Sequence, residues 1–250
     1  MEILNVLFWT LIGSVFSLIG GVILLKSTTK REKFVHYALP FGAGAMLASA
    51  FLVVIPEALH EGLEPVTMSL FTLSGFLGFF LLERLLSWFH HHHHDSVAGV
   101  RDKTHTYLVV IGDTLHNAID GVALGAAFLV SSTAGVSMAI AVAAHEIPQE
   151  VGDFGILLAK GVKTKRVIWV NIASALATVV TAMTVFLLGS TSGLDTSPLM
   201  AIAAGMFIYV AASDIIPDIH ERPRAEGRVQ SLMLFLGVAI IGSIALIMSH

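Results

Sequence analysis

The sequence predicts an all-α integral membrane protein with eight transmembrane helices. Three observations carry this prediction: the low charge, the long apolar runs and the placement of the basic residues. Of the 250 residues, 55% are hydrophobic and only 13% are charged. A soluble domain carries about 25% charged residues, so this chain has too few to cover a surface that faces water. Most of the surface is therefore expected to face lipid.

Apolar runs long enough to cross a bilayer recur along the chain, which we predict to be a single transmembrane domain, residues 1–250. A spanning helix needs about 20 mostly apolar residues. The segments that qualify, called helices 1 to 8, are residues 4–25, 34–59, 66–89, 106–130, 136–159, 167–188, 199–218 and 232–248. We interpret Gly121, Gly125 and the small residues 42–45 as helix contacts, because small residues let membrane helices approach closely.

The Lys and Arg residues indicate how the helices are oriented, because these residues favour cytoplasmic loops. All 14 lie in or beside the loops after helices 1, 3, 5 and 7. They are Lys26, Lys30, Arg31, Lys33, Arg84, Arg101, Lys103, Lys160, Lys163, Lys165, Arg166, Arg222, Arg224 and Arg228. The eight-span count and an outside placement of both termini therefore support each other.

Two nearly matching strings indicate internal repetition. Residues 55–61 at the end of helix 2 read IPEALHE, and residues 216–221 at the end of helix 7 read IPDIHE. Helix 2 runs outward and helix 7 runs inward. The match therefore predicts an inverted repeat, in which helices 1–3 correspond to helices 6–8 around a central pair in a 3+2+3 bundle. Chance similarity between short strings is the alternative.

Ionisable residues inside the predicted helices are the main functional signal. They cost about 2.5–3.5 kcal/mol each on insertion scales, so they are rare in membrane helices and usually functional. Two neighbouring amide residues, Asn117 and Gln149, are included with them. The residues are Asp113, His116, Asn117 and Asp120 on helix 4, His145, Glu146, Gln149, Glu150 and Asp153 on helix 5, and Asp214 on helix 7. No Lys or Arg lies among them, so a cation from outside the protein is expected to neutralise the acids.

The spacing of these residues predicts a metal site between helices 4 and 5. Residues three or four apart share a helix face, so each helix presents one polar stripe. The predicted ligands are His116, Asn117, Asp120, His145, Glu146, Gln149 and Glu150. Imidazole with carboxylate suits zinc, iron, manganese or cadmium better than magnesium or calcium, which favour all-oxygen shells.

Two motifs resemble the paired signatures of the ZIP family of zinc and iron transporters. Residues 116–121 read HNAIDG on helix 4, and residues 145–150 read HEIPQE on helix 5. The resemblance covers the whole chain, including the span number, the repeat and a histidine-rich loop after helix 3. It implies uptake of a divalent metal ion toward the cytoplasm by alternating access, commonly in a homodimer.

The resemblance also assigns ligands by position. The family's helix 4 and helix 5 ligands correspond to His116, Asn117, Asp120, His145, Glu146 and Gln149. The family usually has Glu or His where this chain has Gln149, which is uncharged and a weaker ligand. This departure argues against two bridged metal ions. The number of ions, the preferred metal and proton coupling stay open.

A run of five histidines, His90 to His94, lies in the predicted cytoplasmic loop 90–103. We expect this loop to capture metal on the exit side, and a solvated loop without a ligand is the alternative.

Besides the metal ion, the other expected partner is the lipid bilayer of the plasma membrane, or the inner membrane in a bacterium. No organic cofactor is expected. Nucleic acid is not expected as a partner either, since no basic face is free to bind it.

Two other functions stay open from the residues alone. A metal-selective channel would use the same side chains. An intramembrane zinc-dependent hydrolase is suggested by His145 and Glu146, which match the start of the zinc-protease string H-E-x-x-H. The fourth residue after His145 is Gln149 rather than His, which weakens that interpretation. No catalytic residue is predicted, and the chain is not expected to be an enzyme.

Overall fold

The structure, a computed structural model, describes residues 2–19, 22, 27–91, 98–192 and 195–248. Side chains are described for the same residues except 86–91, 98–108, 214 and 248. All secondary structure in these ranges is helical, which confirms the all-α class. The side chains of Asp214 and of the predicted histidine run, His90 to His94, lie outside this described part.

Long helices follow one another with short connections. They are α1 Glu2–Gly13, α2 Thr28–His60, α3 Pro65–His91, α4 Ala98–Val130, α5 Ser132–Ala159, α6 Thr164–Ser192, α7 Ser197–Glu221 and α8 Arg224–Met248. A short 3-10 turn, Val15–Ser17, follows α1. Because α3 continues to His91 and α4 begins at Ala98, helix extends from both sides into the range 90–103 that was predicted as a loop.

Glycine ends two of these helices. Gly62 after α2 and Gly161 after α5 have φ values of 96° and 76°, a conformation that other residues rarely adopt. After each glycine the chain turns back and caps the helix: the Leu63 amide donates to Ala58, and the Val162 amide donates to Leu157. These tight caps make α2 and α3, and likewise α5 and α6, sequential antiparallel neighbours.

Helices α2 and α7 share an unusual internal turn. Each has a π-helical turn, Ala50–Val54 in α2 and Ala211–Ile215 in α7. Pro56 and Pro217 each lie two residues after the end of this turn. Proline cannot donate to the preceding turn and its ring crowds that turn's carbonyl, so a locally widened turn accommodates it without ending the helix. The two strings that match in sequence therefore also match in backbone shape.

Two glycines bring α2 and α8 into close contact. A Cβ on Gly44 of α2 would overlap the Leu234 carbonyl oxygen of α8, and a Cβ on Gly237 of α8 would overlap the Phe41 carbonyl oxygen of α2. Each glycine thus makes room for the backbone of the other helix. Helix backbones this close gain packing that larger side chains would prevent.

The same reciprocal arrangement joins α3 and α7. A Cβ on Gly205 of α7 would overlap the Thr72 carbonyl oxygen of α3, and a Cβ on Gly75 of α3 would overlap the Ile202 carbonyl oxygen of α7. The contact of α7 with α3 therefore resembles the contact of α2 with α8. Helices α2 and α7, which share a sequence string, therefore each pack on a partner helix through a reciprocal pair of glycines.

The helices that carry the polar stripes lie between these pairs. Helix α4 packs on α5, α6 and α7, and α5 packs on α1, α2 and α4. Gly121 and Gly125 lie where α4 approaches Thr181 and Ala182 of α6, which confirms the prediction that these glycines are helix contacts.

Apolar side chains cover much of the outer surface. On α3, for example, Val66, Leu70, Leu73, Leu77 and Leu81 are all exposed and follow one helix face. Within the described residues, the helices long and apolar enough to cross a membrane are five: Thr28–His60, Pro65–Leu85, Thr164–Ser192, Ser197–Glu221 and Arg224–Ile247. Helices α4 and α5, which carry the polar residues of the candidate site, are not among them. The number of spans beyond these five stays a prediction.

Candidate metal centre

Helices α4 and α5 bring four of the predicted ligands together. His116 and Asp120 lie one turn apart on α4, and His145 and Glu146 are consecutive on α5. One ligand atom from each residue lies within 4.8 Å of the others. All four side chains are buried. We call these residues the four-residue group.

The distances within the group suit an ion with four ligands in tetrahedral coordination. His145 Nε2 lies 2.9 Å from Asp120 Oδ2 and 3.7 Å from Glu146 Oε1. His116 Nε2 lies 3.5 Å from Glu146 Oε1 and 3.8 Å from Asp120 Oδ2. Zinc ligands at about 2.0–2.1 Å in a tetrahedron are about 3.3 Å from each other. Small side-chain adjustments would therefore place all four ligand atoms around one ion.

A proton or a metal cation is needed between His145 and Asp120. His145 Nδ1 lies 3.0 Å from the Ala141 carbonyl oxygen, which only accepts, so Nδ1 carries the proton. In the neutral ring the lone pair is then on Nε2, which faces an Asp120 oxygen at 2.9 Å. Two acceptors at that distance repel each other. A proton on either atom or a metal cation resolves the repulsion, and the Ala141 carbonyl orients the ring for a metal cation.

Other atoms of the group lack hydrogen-bond partners. Among the described residues, His116 Nε2 and both carboxylate oxygens of Glu146 are buried without a hydrogen-bond partner. Leaving such groups unpaired in a buried site is costly. His116 Nε2 and Glu146 Oε1 lie 3.5 Å apart within the four-residue group, where a divalent cation would satisfy both.

Aromatic rings enclose the group. The His116 ring meets the ring of Phe79 of α3 edge to face at 5.8 Å, and it meets the His145 ring at 5.5 Å. Phe207 of α7 packs on His145 at 5.7 Å. These contacts pack both imidazoles against α3 and α7.

Comparison with known proteins identifies the family. The family model described as ZIP Zinc transporter matches residues 3–106 and 90–245, which together include the four-residue group. The chain belongs to the ZIP zinc transporter family. This confirms the resemblance seen in the two motifs, and it agrees with the prediction that the chain is not an enzyme.

Individual ZIP relatives match the chain over about half of its length. Zinc transporter ZIP10 of Mus musculus is 39% identical over 150 residues, which are 56% of this chain and 18% of the relative. Zinc transporter foi of Drosophila melanogaster is 36% identical over 143 residues, or 56% of this chain and 20% of the relative. Zinc transporter ZIP4 of Mus musculus is 41% identical over 111 residues, or 44% of this chain and 17% of the relative. The chain thus aligns with a fifth or less of the length of these proteins.

Asn117, a predicted ligand, is engaged with α6 in this ZIP chain. Its carbonyl oxygen accepts a hydrogen bond from the Thr178 hydroxyl at 2.8 Å. Its amide donates to Asp113 Oδ1 at 3.0 Å and, more weakly, to Ser174 Oγ at 3.5 Å. Asn117 is therefore outside the four-residue group, and its role as a ligand stays a prediction.

Glu150, another predicted ligand, also lies outside the four-residue group. Gln149 lines two cavities described below. Glu150 is fully buried, and neither of its carboxylate oxygens has a hydrogen-bond partner within the described residues. Their assignment as ligands stays a prediction.

Sequence reasoning missed several residues that shape the site. Thr178 orients Asn117, and Phe79 and Phe207 pack on the imidazoles. A single threonine or phenylalanine in an apolar helix carries no distinctive signal. Thr178 lies one turn after Ser174 on α6, which is an ordinary spacing for residues that hydrogen-bond between membrane helices. Asn171, a further polar residue of α6, donates to the backbone oxygen of Val167 at 2.7 Å.

A cavity of about 530 Å³ extends from His116 along α3, α4 and α5. Three carboxylates line it: Glu83, Asp113 and Asp153. Glu83 accepts a hydrogen bond of 2.7 Å from the hydroxyl of Tyr209. We call this space the carboxylate cavity. Its negative lining suits a cation that moves to or from His116.

A second cavity, of about 850 Å³, lies between α2, α5 and α7 and shares Gln149 and Val210 with the first. Its lining includes Arg31, which is buried, and Arg222, which pairs with Asp218 at 2.9 Å. We call this space the arginine cavity. The two cavities meet beside the four-residue group but differ in charge.

Proposed function

We propose that this chain carries a divalent transition-metal ion, zinc first and also iron, manganese or cadmium, across a membrane toward the cytoplasm. The ion is held between α4 and α5 by His116, Asp120, His145 and Glu146. Asn117, Gln149 and Glu150 complete or adjust this ligand set during transport. The single observation that carries the proposal is the convergence of two imidazoles and two carboxylates with unpaired atoms in a buried space.

The donor chemistry favours zinc and similar ions. Two imidazole nitrogens and two carboxylate oxygens suit first-row transition metals, whereas magnesium and calcium prefer oxygen shells with more ligands. The names of the relatives, which are zinc transporters, agree with this choice.

The direction of transport is supported by the placement of the cavities. The arginine cavity lies toward the ends of α2, α5 and α7 that carry Lys and Arg residues, which is the predicted cytoplasmic side. The carboxylate cavity lies toward the corresponding ends of α3, α4 and α5. On the other side of the group, buried apolar side chains pack together; they include Met46, Leu124, Met138 and Met200. This arrangement corresponds to a carrier that is open inward and closed outward. A membrane potential that is negative inside favours inward movement of a divalent cation by about 4.6 kcal/mol per 100 mV.

The carboxylate cavity is the exit that we propose for the ion. Its three acids attract a cation, whereas in the arginine cavity the two arginines offset the two acids, Glu32 and Asp218. An exit lined by acids also keeps the electrostatic cost low after the ion leaves the four-residue group.

The proposed architecture is a 3+2+3 inverted repeat of eight spans with both termini outside. The matching π-helical turns in α2 and α7 support it, as do the reciprocal glycine pairs at the α2–α8 and α3–α7 crossings. In this arrangement α2 corresponds to α7, and α3 corresponds to α8. Alternating access then follows from exchange between the two repeats.

The membrane and the oligomeric state complete the proposal. We place the protein in the plasma membrane, or in the inner membrane if the source is a bacterium. The ZIP resemblance implies a homodimer. Energy comes from the metal gradient, the membrane potential or exchange with protons.

Zinc flux into proteoliposomes tests the function. Wild-type protein should give uptake that saturates with zinc concentration, whereas Asp120→Ala and Glu146→Ala should abolish it while eluting as folded protein. Glu226→Gln, which removes an exposed carboxylate on α8, is the matched control and should keep full uptake. Uptake that persists in both site variants would refute the site. Zinc flux that rises without saturation would favour the alternative function, a metal-selective channel.

A further inference from the structure

An apolar groove on the outer surface has a charged end. The groove lies between α2, α5 and α8 and has a volume of about 680 Å³. Phe34, Phe41, Pro148 and Met233 line its length, and Lys30 and Lys33 lie at one end. We propose that this groove binds one anionic phospholipid of the cytoplasmic leaflet, with an acyl chain in the groove and the headgroup at the two lysines.

The length of the groove matches half a bilayer. Its α2 lining runs from Lys30 to Phe41 along one helix face, which is a distance of about 16 Å at the rise of an α-helix. The hydrocarbon core of a bilayer is about 30 Å thick, so the groove reaches from the headgroup level to about the midplane. One acyl chain of a lipid in a single leaflet spans that distance.

The charge of the groove selects the headgroup. Lys30 and Lys33 are exposed, and neither forms an ion pair with another described residue. Arg31, between them in sequence, is buried and lines the arginine cavity on the other side of α2. Two ammonium groups at the level of the lipid phosphates attract anionic headgroups in preference to zwitterionic ones. A second protein helix in the groove would leave these two charges without a partner.

The floor of the groove is the back of the helix that carries His145. Ala144, Ile147 and Pro148 line the groove, and each is adjacent to a residue predicted to bind metal. Here α2 touches the α5 backbone directly: a Cβ on Gly42 would lie 2.8 Å from His145 Cα. A lipid in the groove therefore packs against the same contact between α2 and α5 that positions His145.

Native mass spectrometry of the detergent-purified chain tests the proposal. The probes are phosphatidylglycerol and phosphatidylcholine with identical acyl chains. Wild-type protein should retain one phosphatidylglycerol with about tenfold higher apparent affinity than phosphatidylcholine. Lys30→Gln with Lys33→Gln should remove that preference. The matched control, Lys163→Gln with Lys165→Gln, removes two exposed lysines on the same predicted side away from the groove and should keep it.

A second variant tests the acyl chain separately. Ala38→Phe adds a ring to the lining of the groove. It should weaken both lipids alike, because it blocks the tail rather than the headgroup. Equal binding of the two lipids by the wild type would overturn the proposal. So would an equal loss in both lysine double variants, or a second copy of the chain in place of lipid. These readouts measure lipid alone, so they are independent of whether the chain transports metal.

Discussion

His145 Nε2 and Asp120 Oδ2 lie 2.9 Å apart although the residues are separated by 25 positions and belong to different helices. His145 is also anchored within its own helix through Nδ1 and the Ala141 carbonyl. The ring therefore links the backbone of α5 to the carboxylate of α4. Any ion that binds between these two atoms also connects the two helices.

The variant Glu146→Gln distinguishes the effect of this residue on zinc binding from its effect on the stability of the metal-free protein. The Glu146 carboxylate is buried without a hydrogen-bond partner, so a neutral amide of the same shape should stabilise the metal-free protein by roughly 1–3 kcal/mol. The stabilisation that zinc confers on the wild type should disappear at the same time. Thermal unfolding in detergent, with zinc and with a chelator, measures both effects. A zinc-dependent shift equal to that of the wild type would exclude Glu146 as a ligand.

Gln149→Glu should increase the number of bound ions. The ZIP family usually has Glu or His at this position, and a carboxylate here would lie beside the four-residue group and the carboxylate cavity. We expect about one zinc per chain in the wild type and a second in the variant, because an added charge offsets the repulsion between two cations. Elemental analysis after desalting measures the ratio. Gln149→Ala is the control and should remain at the wild-type value.

Asp153→Asn should slow release of the ion. This side chain lines the carboxylate cavity next to the proposed ligands, so loss of its charge removes an attractive step on the exit path. Zinc flux should fall about tenfold while the equilibrium affinity for zinc stays nearly unchanged. Glu32→Gln removes a carboxylate from the arginine cavity and should leave the flux unchanged. The opposite pattern would place the exit in the arginine cavity.

Thr178→Val should destabilise the contact between α4 and α6. The hydroxyl donates to Asn117 Oδ1 at 2.8 Å, and valine of the same shape leaves that buried oxygen unsatisfied. The expected loss is roughly 1–3 kcal/mol in the free energy of unfolding. Thr178→Ser keeps the donor and should recover most of it. Thermal unfolding of the metal-free protein provides the comparison, and equal stability of both variants would show that the hydrogen bond contributes nothing.

Gly205→Val tests the α3–α7 crossing. A Cβ at Gly205 would overlap the Thr72 carbonyl oxygen, so the helices must separate and the unfolding free energy should fall by roughly 1–3 kcal/mol or more. Gly78→Val, on the same pair of helices, is the matched control because a Cβ there meets nothing within 4 Å. If both variants were equally stable, the close approach of the two backbones would not matter for folding.

The sequence by itself determined the class of the protein and the candidate ligands. The charge fraction and the apolar runs predict a helical membrane protein, because lipid accepts few charged groups. Helical periodicity places His116 with Asp120 on one face of α4, since residues four apart always share a face. The motif around these residues was specific enough to indicate the ZIP family.

The tertiary structure alone decided which side chains meet. Periodicity defines a face within one helix, but the rotation and the distance between two helices depend on the packing of all their neighbours. The pairing of His145 with Asp120, the hydrogen bond of Asn117 to Thr178 and the exclusion of Glu150 from the four-residue group are of this kind. The glycine crossings and the lipid-sized groove likewise follow from how whole helices approach each other, which short-range sequence patterns do not encode.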